Sequence, residues 1–291
     1  STLVRNGDNV LILLPWERPG SVGDLLVKAL SPMGISVTPY GLIDDLHNVA
    51  AKIAKENITS LVGIPTQVLA LAKYIENHWK SYLNPLRTML LTTDYVSPSI
   101  VQYIESTLKC KVFNHYGMTE MGLGGAVDCE AHEGYHLREA DLYFEIVNPA
   151  NGEVVSDGSI GEIVFTTLTR KGMPLIRYAT GDLAYFIPEP CPCGTYLKRM
   201  SIVKDRIEEQ ILLPGGGILS ISQLDDILFS FPMIVDFDAL IYKNNSKINL
   251  EIRLLLLDHA SEEILEQAKR AILTKFSAVS RLLVEVEVSD T

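Results

Sequence analysis

Lys111–Val112–Phe113–Asn114–His115–Tyr116–Gly117–Met118–Thr119–Glu120 is the stretch from which the rest of the chain can be read. Its first three residues are an extended run, and Gly122, Gly124 and Gly125 follow closely. A strand is therefore expected to deliver the segment into a loop that closes tightly on glycine. The loop then carries the Tyr116 ring, the Thr119 hydroxyl and the Glu120 carboxylate. A ring stacks on a base, a hydroxyl bonds a phosphate oxygen, and a carboxylate holds a hard cation such as magnesium. Seven residues alone better fit an ordinary strand-to-loop turn with polar residues facing water, so the surroundings must decide.

Upstream, strand and helix alternate. Val10–Leu14 is a continuous apolar run of the kind buried on both faces of a sheet. Ser21 is the expected cap of a helix running to Leu30. Gly34–Pro39, Ser60–Ile64 and Leu86–Thr92 read as further strands. Helices are expected over Asp44–Glu56, from Pro65 or Thr66 to about His78, and over Ser97–Leu108. This alternation is the signature of a doubly wound α/β sheet, whose ligands bind at the carboxyl ends of the strands. The Tyr116–Glu120 segment sits at such an end.

Downstream the pattern changes twice. Tyr143–Val147, Gly161–Thr166 and Ala184–Ile187 read as strands of a β-rich region, with turns at Asn148–Gly152 and Ser156–Gly158. Past Arg206 a small α+β unit is expected. It comprises a turn at Leu213–Gly217, a helix from Ile221 to Phe229, and strands over Val235–Tyr242, Ile248–Leu256 and Leu282–Val288. A helix capped by Ser261 presents Ile264, Leu265, Ala268, Ile272 and Phe276 on one face. The expected division is residues 1–206 and 207–291.

Composition removes several function classes. The chain has 25 basic and 36 acidic side chains, a net charge of −11, which argues against non-specific nucleic-acid binding. No apolar run is long enough for a membrane helix. Four cysteines in 291 residues do not make a disulfide framework, so a reducing cytoplasm is the expected setting.

Two more segments carry chemistry. In Arg177–Tyr178–Ala179–Thr180–Gly181–Asp182, a carboxylate after a glycine turn suits a ribose diol. In Asp205–Arg206–Ile207–Glu208–Glu209, an arginine at the junction of the two units suits a ribose or phosphate oxygen. Together, in this order, the three segments resemble the adenylate-forming acyl-CoA ligases. The branch they fit is the phenylacetate-CoA ligase-like one, as do Leu90–Tyr95, Met173–Arg177 and Cys191–Gly194. The resemblance implies the C-terminal part of a large α/β domain, mixed sheet layers with helices and then a β-rich region, followed by a small α+β domain. It also implies a two-step reaction. A carboxylic acid, an aryl acid such as phenylacetate by this resemblance, attacks ATP to give an acyl-adenylate, and coenzyme A then takes the acyl group. On this resemblance Asp94, His115, Tyr116, Gly117, Met118, Thr119, Asp182 and Arg206 bind the nucleotide. Thr119 meets the phosphate, Glu120 holds magnesium, and Glu208 falls at the hinge. A homodimer is left open.

The departures are as informative. Residues 1–291 hold no Ser/Thr/Gly-rich phosphate loop, and no lysine past the hinge follows a glycine, the context of the family's adenylating lysine. Ala179 stands where the family usually has arginine. The expectation is a ligase lacking both ends and inactive by itself, either a fragment or a degenerate homologue. Alternatives are a non-catalytic zinc-stabilised nucleotide-binding homologue, or adenylation directed to an amide. Finally, Cys129, Cys191 and Cys193 with His132 or His136 suit a tetrahedral structural zinc site. In the branch resembled, the histidine follows Gly and an apolar residue. Gly134–Tyr135–His136 fits that context, which favours His136. Cys110 is expected to be a buried free thiol.

Overall fold

The computed structural model describes residues 3–79, 86–244, 247–256 and 262–288. Its first part alternates as the sequence indicates: β1 (Asn9–Leu13), α1 (Val22–Leu30), β2 (Ser36–Pro39), α2 (Leu46–Lys55), β3 (Ser60–Gly63), α3 (Pro65–His78), β4 (Thr88–Leu91), α4 (Pro98–Leu108) and β5 (Lys111–Tyr116). The five strands are parallel, in the order β2-β1-β3-β4-β5. The apolar run of β1 is needed because both of its faces are covered. Leu11 and Leu13 join the core under α2, α3 and α4, while Val10 and Ile12 pack with Val22 and Leu26 of α1. Local signals set the helix starts. Asp45 accepts a bond from the Asn48 amide (2.9 Å), and Pro65 and Pro98 open α3 and α4. Ser21 does precede α1, but its hydroxyl makes no capping bond; the Asp24 carboxylate instead accepts from the Gly20 amide at 2.6 Å.

The sheet does not stop at β5. It continues through β6 (Ala126–Val127) and β7 (Tyr135–Leu137). A separate three-stranded sheet follows, of β8 (Leu142–Val147), β9 (Gly161–Thr167) and β10 (Tyr178–Ala184). The chain then returns to the first sheet as β11 (Phe186–Ile187) and β12 (Arg199–Met200), giving nine strands in all among the described residues. The expected β-rich region is thus partly an antiparallel extension of the large sheet.

The rest comprises the hairpin β13 (Ile211–Leu212) and β14 (Ile218–Leu219), α5 (Ile221–Leu228), β15 (Ile234–Asn244), β16 (Lys247–Leu256), α6 (Glu262–Lys275) and β17 (Val279–Val288). The alternation of β16, with Ile248, Leu250, Ile252, Leu254 and Leu256 all buried, points one face of the β15-β16-β17 sheet at α6, where Ala268, Ile272 and Phe276 meet it. The expected cap Ser261, and Asn245 and Ser246 between β15 and β16, lie outside the described residues. No helix among the described residues is long and apolar enough to cross a membrane.

A buried polar contact is among those that tie this last part to the first. Lys73 on α3 is 1% exposed, and its Nζ donates to the Ile234 carbonyl at the start of β15. Burial pulls this ammonium down to about 7 from 10.5. Between those values the unfolded chain binds the extra proton, so Lys73 makes stability rise with pH across that window. Relative to Lys73→Met, the wild type should therefore gain up to about 1.4 kcal/mol per pH unit above neutrality. Urea titrations of both proteins at pH 7 and pH 9 read this directly. An unchanged difference would contradict a buried, proton-linked lysine.

Candidate functional site

The deciding stretch is more ordered than its composition suggests. Asn114, His115 and Tyr116 are not loop residues but the end of β5. Asn114 pairs with Leu91 of β4, and His115 and Tyr116 pair with Val127 and Ala126 of β6. The expected loop begins at Gly117, and Thr119–Met121 forms a single 3-10 turn closed by Gly122 at φ +72°. The loop folds back until the Gly125 amide donates to the Tyr116 carbonyl at 2.9 Å. Gly117 permits this approach, since a Cβ there would lie 2.0 Å from the Leu123 carbonyl oxygen. Glycine is needed at 117 for room rather than for backbone angle.

Strand alternation sends neighbouring side chains of β5 to opposite sides. Tyr116 points into the core shared with β7, β8 and β9, where it meets Asp182. Asp182 lies within β10 rather than after a free turn. The strand shifts register between Ala179 and Leu183, with Gly181 at φ +77°, and the shift leaves Asp182 bridged to Arg206. The Tyr116 hydroxyl donates to Asp182 Oδ2 at 2.7 Å, and Arg206 Nε lies 2.9 Å from Asp182 Oδ1. Arg206 also donates to the Thr180 carbonyl at 3.0 Å, and Thr180 Oγ1 accepts from the Asp182 amide. Burial raises the Asp182 carboxyl, an effect opposed by its bonds from Tyr116 and Arg206. Burial and the Asp182 charge together push the Tyr116 phenol up, so it stays a neutral donor.

His115, on the other side, bonds Thr92 Oγ1 through Nδ1 at 2.8 Å. Burial, and secondarily the charge of Arg138, lower it to about 4, so the imidazole is neutral at physiological pH. A single cleft of about 1020 Å³ is lined by Asp94, His115, Tyr116, Gly117, Met118, Thr119, Glu120, Asp182 and Arg206. All the nucleotide-binding candidates therefore meet in one place. Asp94 is exposed at the rim, its carboxylate accepting from the Tyr95 amide. Glu208 is exposed in the turn Ile207–Glu209, while its neighbour Glu209 lines the cleft. Thr92 and Thr180, from the segments Leu90–Tyr95 and Arg177–Asp182, also line it, as do Arg138 and Lys204, to which the sequence assigns no role. Arg138 follows the short strand β7 with no motif around it, so only the β6–β7 pairing reveals where it goes.

The second cluster is compact. The donor atoms of Cys129, His136, Cys191 and Cys193 all lie within 4.8 Å of one another. Cys129 Sγ and Cys191 Sγ are 3.7 Å apart, and Cys193 Sγ lies 3.4 Å from His136 Nε2. Two sulfurs on a tetrahedral zinc with bonds of about 2.3 Å stand about 3.8 Å apart, so the donor set fits that ion. The amides of Ala131 and Thr195, each two residues beyond a cysteine, bond the Cys129 and Cys193 sulfurs. His132 is elsewhere, its Nδ1 2.7 Å from Asp128 Oδ2. Arg199, 3% exposed, donates to the carbonyls of Glu133 and Glu189 at 2.9 Å each, stapling together the segments that carry the donors.

Comparison with known proteins agrees with this geometry. The sequence profile of the AMP-binding enzyme family matches residues 4–168. The chain belongs to that family. Its curated relatives put it in the phenylacetate-CoA ligase-like branch of the adenylate-forming acyl-CoA ligases. One of them, the phenylacetate-coenzyme A ligase of Thermus thermophilus, is 31% identical over 153 residues, which cover 52% of this chain and 34% of that enzyme. Among solved structures, 2-hydroxyisobutyryl-CoA ligase in complex with R3-HIB-AMP, in the postadenylation state, superposes with a TM-score of 0.84 at 21% identity. That match covers 100% of this chain and 64% of the ligase. The same ligase in complex with 2-HIB-AMP and CoA, in the thioesterification state, gives 0.64 at 21% identity, covering 99% and 63%. The chain thus spans less than two thirds of the length of these proteins. The fold of a partial adenylate-forming domain with a following α+β part is the one the sequence indicated.

Proposed function

We propose that the chain carries the nucleotide- and acid-binding part of an acyl-CoA ligase, in which ATP activates a carboxylic acid to an acyl-adenylate and coenzyme A then takes the acyl group. An aryl acid such as phenylacetate is the substrate class, by likeness to the curated relatives. The observation that carries the reading is the convergence of Tyr116 and Arg206 on Asp182, at 2.7 and 2.9 Å, in the cleft that also holds Thr119 and Glu120. In this reading Asp182 accepts from the ribose hydroxyls through its remaining lone pairs and Arg206 adds a ribose contact. Tyr116 runs along the adenylate, with Gly117 and Met118 beside it. Thr119 bonds the phosphate, Glu120 holds magnesium, and Asp94 lies near the adenine. Residues 1–206 and 207–291 are two units hinged near Arg206–Glu209, and the better superposition on the postadenylation state supports that hinge. Zinc on Cys129, His136, Cys191 and Cys193 is structural, remote from the chemistry.

The test is a thermal shift of the polypeptide of residues 1–291. A ligand that binds only the folded chain stabilises it by about 2.7 kcal/mol at one hundred times its Kd. AMP should raise the melting temperature, phenylacetyl sulfamoyl adenosine should raise it further, and GMP should not. Equal shifts with AMP and GMP would contradict an adenylate site.

A further inference from the structure

The cleft has a second half that the nucleotide contacts leave unused. Val62, Leu90, Thr92 and His115 share one sheet face, because Val62 pairs with Leu90, Leu90 pairs with Phe113, and alternation puts Thr92 and His115 on that same side. Val22, Leu25 and Leu26 of α1 line the cleft opposite them. A ligand held by its ribose at Asp182 therefore extends across Gly117 and Thr119 into an apolar trough that ends at the Thr92–His115 pair. Resting on the adenylate reading, that trough takes the acyl group.

The end of the trough is not apolar. A side chain at Gly124 would place its Cβ 3.1 Å from His115 Nε2 and 3.6 Å from Arg138 Nη1. Glycine leaves this notch open, and two nitrogens face it. Arg138 is held from behind. Its Nη2 donates to the Met121 carbonyl at 2.7 Å, and its Nε lies 2.8 Å from Asp141 Oδ1. Among the described residues Nη1 has no hydrogen-bond partner, so its two N–H donors are available to the notch. The charge of Arg138 is already met by Asp141, and His115 is neutral. A second carboxylate would thus enter without a free counter-charge, whereas an uncharged oxygen would find donors ready.

We propose that the Gly124 notch, bounded by His115 and Arg138, is a subsite for an uncharged hydrogen-bond-accepting oxygen on the acyl group, a hydroxyl or a carbonyl. The acid activated is then an aryl acid bearing such an oxygen, in preference to unsubstituted phenylacetate or a dicarboxylate. Arg138 is a binding residue in this account, and Gly124 supplies the room.

Calorimetry with acyl sulfamoyl adenosines tests it. The probes are the phenylacetyl parent, its three ring-hydroxylated isomers and a ring-carboxylated analogue, against wild type, Arg138→Met and Gly124→Ala. A bond from a charged donor predicts at least one hydroxylated isomer about tenfold tighter than the parent on wild type. That ratio should fall below about threefold in both variants, and the ratio within each protein is independent of any general loss of affinity. No preference on wild type, a preference that survives in both variants, or a carboxylated analogue as the tightest ligand would each overturn the subsite. Parent binding without preference overturns the subsite alone; no binding by any probe overturns the adenylate reading along with it.

Discussion

The polypeptide of residues 1–291 should release no pyrophosphate from ATP above background when offered phenylacetate, other aryl acids or fatty acids. Adenylation spreads charge over the α-phosphate while pyrophosphate departs. Donors that cradle the departing phosphates, and a lysine bridging acid and phosphate, are each worth about two to three orders of magnitude in rate. This sequence supplies neither. Gly215–Gly216–Gly217 is the tip of the β13–β14 hairpin, where Gly215 and Gly216 hold φ of +94° and +95° and the Leu213 amide bonds the Gly217 carbonyl at 2.7 Å. It is a tight turn and not a phosphate cradle. Lys204 does line the cleft, but its Nζ lies 3.5 Å from Asp226 Oδ2, beside Tyr95 rather than Thr119. A magnesium ion held at Glu120 would neutralise charge without orienting the attack. A continuous pyrophosphate assay checks this. Turnover near about one per second, within the ordinary enzyme range, would reveal a phosphate site among these residues that neither motif nor geometry shows.

The second large effect concerns stability. Cys191→Ser should abolish stoichiometric zinc and lower the melting temperature by more than any single substitution in the cleft. Structural zinc contributes roughly 10–16 kcal/mol of apparent binding energy in small domains. Even a fraction of that exceeds the ~1 kcal/mol net of an ordinary hydrogen bond. The four donors come from two segments, 129–136 and 191–193, that the ion would clamp at one edge of the nine-stranded sheet. Metal analysis of chelator-washed, still folded protein gives the stoichiometry, and calorimetry gives the stability. One zinc per chain in the wild type and none in the variant is the expected pair of results. No zinc in the wild type would reduce the cluster to free thiols.

Much of this was legible because its signals are local. The apolar run of β1, Pro65 and Pro98 at helix starts, and the alternation in β16 each encode an element within a few residues. The candidate cleft was legible through its motifs, which carry Tyr116, Thr119, Glu120, Asp182 and Arg206 to its lining. What could not be read depends on pairing. Asn114–Tyr116 are strand only because β4 and β6 flank them, and Asp182 reaches Tyr116 only because β10 shifts register at Gly181. Arg138 enters the cleft by tertiary placement alone. Likewise Lys73 sits at a core-facing helix position, and its neighbours there, the Ile234 carbonyl 161 residues away and the Tyr103 ring, are brought to it only by tertiary packing.

AMP binding to wild type and Asp182→Asn tests most directly whether Asp182 clamps the ribose in an adenylate cleft. Isothermal calorimetry at neutral pH and low salt is the experiment. The amide cannot accept two charge-assisted bonds, each worth about 1.5–3 kcal/mol, so affinity should fall by at least about tenfold. The variant should keep its fold, since Asn preserves shape and can still accept from Tyr116. Equal affinity of the two proteins for AMP, or no AMP binding by the folded wild type, would contradict the account.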